Sequence, residues 1–210
     1  MKPRVIINAG HSVFDPGVMH GGKKESAIAM GLRDEIVHKL GERYDFISVP
    51  DTINLRDSIA WINRRANVND VAFSIHFNSH SNRTVRGTEA YYYNQREGEL
   101  AAIYSREISE ALGIPNRGAK PDRYTWVGSL GWVRQLKCDS VLIEFCYITN
   151  PADMRVFNYG DALKGVERAL DEIIPRKETD LKKIETQIEA LKRRVEALMR
   201  TIMRLLANRK

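Results

Sequence analysis

The sequence predicts an α/β protein: a mostly parallel, twisted sheet flanked by helices on both faces, followed by a C-terminal coiled-coil helix. Two observations carry the sheet. Apolar runs at 4–8 (RVIIN), 71–77 (VAFSIHF) and 141–145 (VLIEF) read as buried strands, and amphipathic helical stretches separate them. The third observation lies beyond Pro175, where Leu181, Ile184, Ile188, Leu191, Val195, Leu198, Ile202 and Leu205 recur at alternating spacings of three and four. That repeat is the signature of a coiled coil. The expected organisation is a domain over residues 1–175 and an oligomerisation tail over 176–210.

Taken in order, the first strand runs into a loop from Ala9 to Lys24 that holds Gly, Asp and Pro and has no apolar periodicity. Glu25 opens a helix with Ile28, Leu32, Ile36 and Leu40 on one stripe and Gly41 as its stop. A short strand follows at 46–49, then a helix at about 55–68, the strand 71–77 and an alternating strand in GTEAYYYN at 87–94. Residues 97–112 read as a helix and 113–131 as irregular. After the strand 141–145, Asn150 and Pro151 have the residue types of a helix cap and first helical position. A last domain helix ends near Ile174.

In the tail, Leu181, Ile188, Val195 and Ile202 fall at a positions, and Ile184, Leu191, Leu198 and Leu205 at d positions. Mostly β-branched a with mostly Leu d favours a parallel dimer. Met199 and Leu206 at e positions widen the seam and would admit a trimer or tetramer. The competing expectation is a helix that folds back on its own domain.

The 210 residues carry a net charge of +6, and residues 176–210 account for all of it with eleven Lys or Arg against five Asp or Glu. A basic tail is expected to attract anionic polymers or phospholipid. It lacks a nucleic-acid reading motif or aromatic platform, so no nucleic-acid partner is expected. The two cysteines, Cys138 and Cys146, are too few for a disulfide framework. No run approaches the ~20 apolar residues that cross a bilayer. The first residues show no secretory leader, so the expectation is a chain that is cytoplasmic on synthesis and acts after release.

Four residues stand out for chemistry. His11 closes the first strand, Glu25 begins the first helix, His76 interrupts a buried strand, and Glu144 follows three aliphatic residues. Ends of parallel strands converge on one edge of an open sheet, where ligands bind. Two imidazoles and a carboxylate are the donors a hydrolytic zinc uses with one position open for water. A desolvated Glu144 has its pKa raised toward the range of proton transfer near neutrality. The plainer readings are a loop histidine for His11, a helix-dipole acid for Glu25 and a buried salt bridge for Glu144. Asn78, on the same side of its strand as His76, is a candidate substrate contact. His80 is the alternative third ligand, and His20 and His38 are expected to serve neither role.

These residues lie in AGH at 9–11, DPG at 15–17, Glu25, RRAN at 64–67, SIHFN at 74–78, GTE at 87–89, LIE at 142–144 and YITNPAD at 147–153. In that order they resemble the zinc-dependent N-acetylmuramoyl-L-alanine amidases of the amidase-3 type, over residues 3 to about 174. Ser12 and Cys146 stand where that family usually has glycine. The resemblance implies that His11, Glu25 and His76 hold Zn²⁺ and that Glu144 is the catalytic acid/base. It implies a peptidoglycan hydrolase cleaving the bond between N-acetylmuramic acid and the L-alanine of the stem peptide. The missing leader points to a phage endolysin-like member. The alternative is a non-catalytic wall-binding or scaffold protein of the same fold.

Overall fold

The computed structural model describes residues 3–174, 186–196 and 198–200. The chain divides into two compact units, Met1–Ile174 and Pro175–Lys210. The first unit is built on β1 (Val5–Asn8), β4 (Phe46–Ser48), β5 (Val71–Asn78), β6 (Thr88–Tyr92), β7 (Asn116–Pro121) and β8 (Asp139–Tyr147), in the order β4-β1-β5-β8-β6-β7. The first four of that order are mutually parallel. β6 pairs antiparallel with β8 and parallel with β7. A two-stranded ribbon, β2 (Met19–His20) and β3 (Lys23–Lys24), stands apart.

Strand alternation sorts the core into two layers. Val5, Ile7, Phe73, Ile75, Phe77, Val141, Ile143 and Phe145 face α1 (Glu25–Leu40), α3 (Gln95–Leu112) and α6 (Tyr159–Ile173) in the larger cluster. Ile6, Ala72, Tyr91 and Leu142 face α2 (Leu55–Asn63) and α4 (Gly131–Gln135) in the smaller one. Leu32 and Ile36 of α1 are fully buried, and truncating either to Ala would cost about 2 to 5 kcal/mol. By the same alternation His76, Asn78, Glu89 and Glu144 belong to the less heavily covered face. The carboxyl ends of the strands there are left open for side chains that are not apolar.

The expected elements form, with four differences. The loop 9–24 contains the β2–β3 ribbon, turned by Gly21 and Gly22 at φ +57° and +75°. α2 stops at Asn63 instead of continuing to 68. The irregular stretch 113–131 contains β7 and a 3₁₀ turn at Asp122–Tyr124. β7 reads NRGAKP and lies on the sheet edge with no fully buried residue, so it has no apolar alternation to betray it. The last domain helix is two: α5 (Pro151–Val156), capped by the Asn150 side chain, and α6, capped by Asn158.

In the second unit residues 186–196 and 198–200 are helical. Ile188, Leu191, Val195 and Leu198 are each at least half exposed there, with Met199 beside them. The heptad residues Leu181, Ile184, Ile202 and Leu205, together with Leu206 and the Pro175 stop, lie outside the described residues. No helix among the described residues is long and apolar enough to cross a membrane.

Candidate metal centre

β1 leaves the sheet through Gly10, at φ +78°. A Cβ there would sit 2.4 Å from the Ile75 carbonyl and 2.8 Å from the His76 ring, so only glycine lets the two strand ends approach this closely. His11 follows. Its Nδ1 lies 2.8 Å from Asp15 Oδ2, which leaves Nε2 facing Glu25 Oε1 at 3.2 Å. Asp15 is steadied by the Gly17 amide, and Gly17 at φ +62° brings the backbone against the His11 ring and Glu25. The DPG turn therefore orients the first imidazole.

Glu25 is buried at the start of α1 and is no mere helix-dipole acid. Its Oε2 accepts the Val18 amide, and its Oε1 accepts the Phe77 amide and faces His76 Nδ1 at 3.1 Å. The two imidazoles stand edge to face with centroids 5.0 Å apart. One donor atom from each of His11, Glu25 and His76 lies within 4.8 Å of the others, so two strand ends and the first turn of a helix bring the three together.

Electrostatics favours a cation here. Burial opposes a charged His11, but the Glu25 hydrogen bond and charge, with Asp15 behind, outweigh it and lift its pKa to about 9. Burial likewise opposes ionisation of Glu25, yet its bonds to His11 and His76 hold it far below the usual carboxylate range. The carboxylate is thus ionised at neutral pH and faces a protonated His11, whose proton a metal would displace.

Glu144 stands directly beside His76 in the β5–β8 register. The residue is partly covered, but its Oε2 is sealed from solvent without a hydrogen-bond partner. Burial, aided by the negative charges of Glu25 and Glu89, pushes its pKa well above the ordinary value. A carboxyl with one sealed, unpartnered oxygen beside a three-donor cluster fits a site completed by a metal and its water.

On the other flank of Glu144, in the β6–β8 register, is Glu89. The GTE motif contains it, but its type and spacing alone assign it no role. Its carboxylate takes hydrogen bonds from Asn78 at 2.7 Å, Tyr91 at 2.7 Å and Arg117 at 2.6 Å, and is also bridged by Lys120. Burial opposes its charge, but Lys120, Arg117 and Tyr91 bring its pKa below the usual value. Asn78, expected as a substrate contact, is committed to Glu89 through Nδ2 and to the Ser79 amide through Oδ1. His80 lies outside the cluster, its Nδ1 accepting the Asn82 amide. His38 is exposed in the last turn of α1. Ser12, at a position where glycine is usual, uses Oγ to accept the Phe14 and Asp15 amides. Cys146 packs in the larger core cluster against Met154.

The fold and site together define an α/β protein with a His–Glu–His donor cluster and an adjacent, partly buried acid on the carboxyl edge of its sheet. Residues 5–174 match the N-acetylmuramoyl-L-alanine amidase family called Amidase_3, and the chain belongs to it. The probable cell wall amidase LytH of Staphylococcus saprophyticus is 23% identical over 152 residues, covering 71% of this chain and 49% of that protein. The Staphylococcus aureus protein of the same name is 24% identical over the same length. The chain spans about half the length of these curated relatives. Among solved structures, the catalytic domain of CwlV, an N-acetylmuramoyl-L-alanine amidase from Bacillus (Paenibacillus) polymyxa var. colistinus, superposes with a TM-score of 0.69. It is 23% identical, and the match covers 81% of this chain and 97% of that one. AmiC2 of Nostoc punctiforme gives 0.68 at 24% identity, covering 88% and 98%. At these identities the likeness is one of fold.

Proposed function

We propose that this chain is a zinc-dependent N-acetylmuramoyl-L-alanine amidase that hydrolyses the bond between N-acetylmuramic acid and the first stem-peptide residue. The observation that carries the reading is the triangle of His11, Glu25 and His76 with the solitary Glu144 beside it. His11, Glu25 and His76 would hold Zn²⁺, whose chemistry when bound is to lower the pKa of water to about 7 and polarise a carbonyl. Asp15 fixes the His11 ring, and the Phe77 and Val18 amides fix Glu25. Glu144, with a raised pKa, accepts the proton of the attacking water and returns it to the departing alanine nitrogen. Glu89, neutralised by Arg117 and Lys120, holds Asn78 and so shapes the floor next to Glu144.

The same site argues against a non-catalytic scaffold. A purely structural protein gains nothing from a carboxyl oxygen sealed from solvent without a partner, which costs about 1 to 3 kcal/mol. The test is digestion of purified peptidoglycan with and without a chelator, reading the new termini by mass spectrometry. Chelator-sensitive release of free N-terminal alanine is expected. Cleavage elsewhere, or none by zinc-loaded protein, would sink the assignment.

The tail is proposed to be a self-associating coil, with a dimer favoured over a trimer or tetramer. Support comes from Ile188, Leu191, Val195 and Leu198, which expose one aliphatic stripe on a helix that carries Lys192 and Glu189 on its polar side. Paired catalytic units on a polymeric substrate gain avidity, which suits an endolysin-like lytic role, and the basic tail would add attraction to anionic wall polymers or phospholipid. Removing residues 176–210 should lower both oligomeric mass and wall binding at moderate salt. An unchanged mass would end this part of the reading.

A further inference from the structure

A second concavity opens on the same edge of the sheet. It has a volume of about 190 Å³ and lies between the β2–β3 ribbon, the loop after β5 and the start of α5. Ile148, Pro151 and Met154 give it apolar walls, and the exposed residues Lys23 and Arg83, with the half-buried His20, stand around its rim. No carboxylate lines it. None of these three basic side chains has an ion-pair partner among the described residues. That sets them apart from Arg4, Arg33, Arg86, Arg117 and Arg134, each of which engages an Asp or Glu. Thr149, whose Oγ1 accepts the His80 amide, and Asn150, which caps α5, hold one wall in place.

The cavity adjoins the metal centre along the chain. Lys23 is two residues before Glu25, hence within about 7 Å of it by backbone reach. Ile148 donates its amide to the Asn78 carbonyl at 2.8 Å, tying this wall to the exit of β5. A group occupying the cavity can therefore belong to the molecule whose bond sits at His11, His76 and Glu144. We propose that the cavity is a subsite for a carboxylate of the stem peptide, with Lys23, Arg83 and His20 facing the anion and Ile148 and Met154 contacting an aliphatic side chain. The proposal rests on the amidase reading. Two cations without ion-pair partners at the rim of one concavity raise the local concentration of an anion beyond what one exposed lysine achieves.

The test uses two matched muramoyl peptides that differ only in whether the second residue carries a free α-carboxylate or its amide. With the full-length zinc-loaded chain, KM for the free acid should be about fivefold to tenfold lower and kcat similar, the range of one charge-assisted contact. The double variant Lys23→Gln, Arg83→Gln should lose that preference while keeping kcat and melting temperature. A binding arm titrates the Glu144→Gln chain calorimetrically with the same two peptides, expecting the same ratio and its decline with added salt. Equal affinity for both peptides, or a preference that survives in the double variant, overturns the subsite. If wild-type protein binds the acid selectively but cleaves neither peptide nor wall, the amidase reading fails and the anion site stands.

Discussion

Glu144 and Glu89 occupy neighbouring positions in one row across β8 and β6, yet they live in opposite surroundings. Around Glu89 converge Arg117, Lys120, Asn78, Tyr91 and Tyr147, and its charge is fully answered. Around Glu144 lie an unsatisfied oxygen and the negative charges of Glu25 and Glu89, and no ion pair to it forms among the described residues. Residue type and strand position are the same in kind, so neighbours alone separate a fixed anion from a proton carrier. The cation-rich side comes from β7, the edge strand, and the cation-poor side from β5, which brings imidazoles.

The sharpest way to break that contrast is Glu144→Gln. Wall hydrolysis should fall by a factor on the order of 10³ or more while zinc stays near one per chain by metal analysis. Loss of zinc instead would make Glu144 a ligand and not the acid/base. Next in size, His76→Ala or Glu25→Ala should weaken zinc binding at least ~100-fold in competition with a chelator, since even outer partners of such ligands are worth 10 to 100-fold. Retained affinity would move the third ligand elsewhere, with His80 the first to examine.

On the Glu89 side, Arg117→Met with Lys120→Met strands a buried carboxylate and should cost about 3 kcal/mol, seen as a melting point lower by roughly 6 to 12 °C. Adding Glu89→Gln should restore most of it. If it does not, the three groups are not coupled.

The smallest effect is the pH dependence of stability in metal-free protein. Glu144 has its folded-state pKa raised, so above the ordinary carboxylate value the unfolded chain releases a proton that the folded chain keeps. Stability from this group is therefore lost as pH rises through the raised pKa. The melting point of Glu144→Gln should exceed that of wild type by a margin that widens as pH rises above the ordinary carboxylate range, at roughly 2 to 4 °C per kcal/mol. A constant margin would show that Glu144 is not buried without partners.

Much of the site was legible because it sits on strongly patterned elements. His76 and Glu144 interrupt buried strands, where a polar side chain demands an explanation, and Glu25 opens a clean amphipathic helix. The role of Glu89 was not legible, because its partners Arg117 and Lys120 come from a strand with no pattern, NRGAKP. The bond from Asn78 to Glu89 was not legible either, since nothing local announces a hydrogen bond to a strand two positions away in the sheet. The cation-lined cavity was equally hidden, for it joins a ribbon at 19–24 to residues 83 and 148–154.

Sequence alone determined the alternation of strands and helices, the four chemical residues and the heptad stripe, because periodicity and misplaced polarity are properties of neighbouring residues. Tertiary structure decided which carboxylate is neutralised, which way Asn78 turns and where basic groups meet. Those depend on strand order and register, which bring distant segments within hydrogen-bond range and leave no trace in local composition.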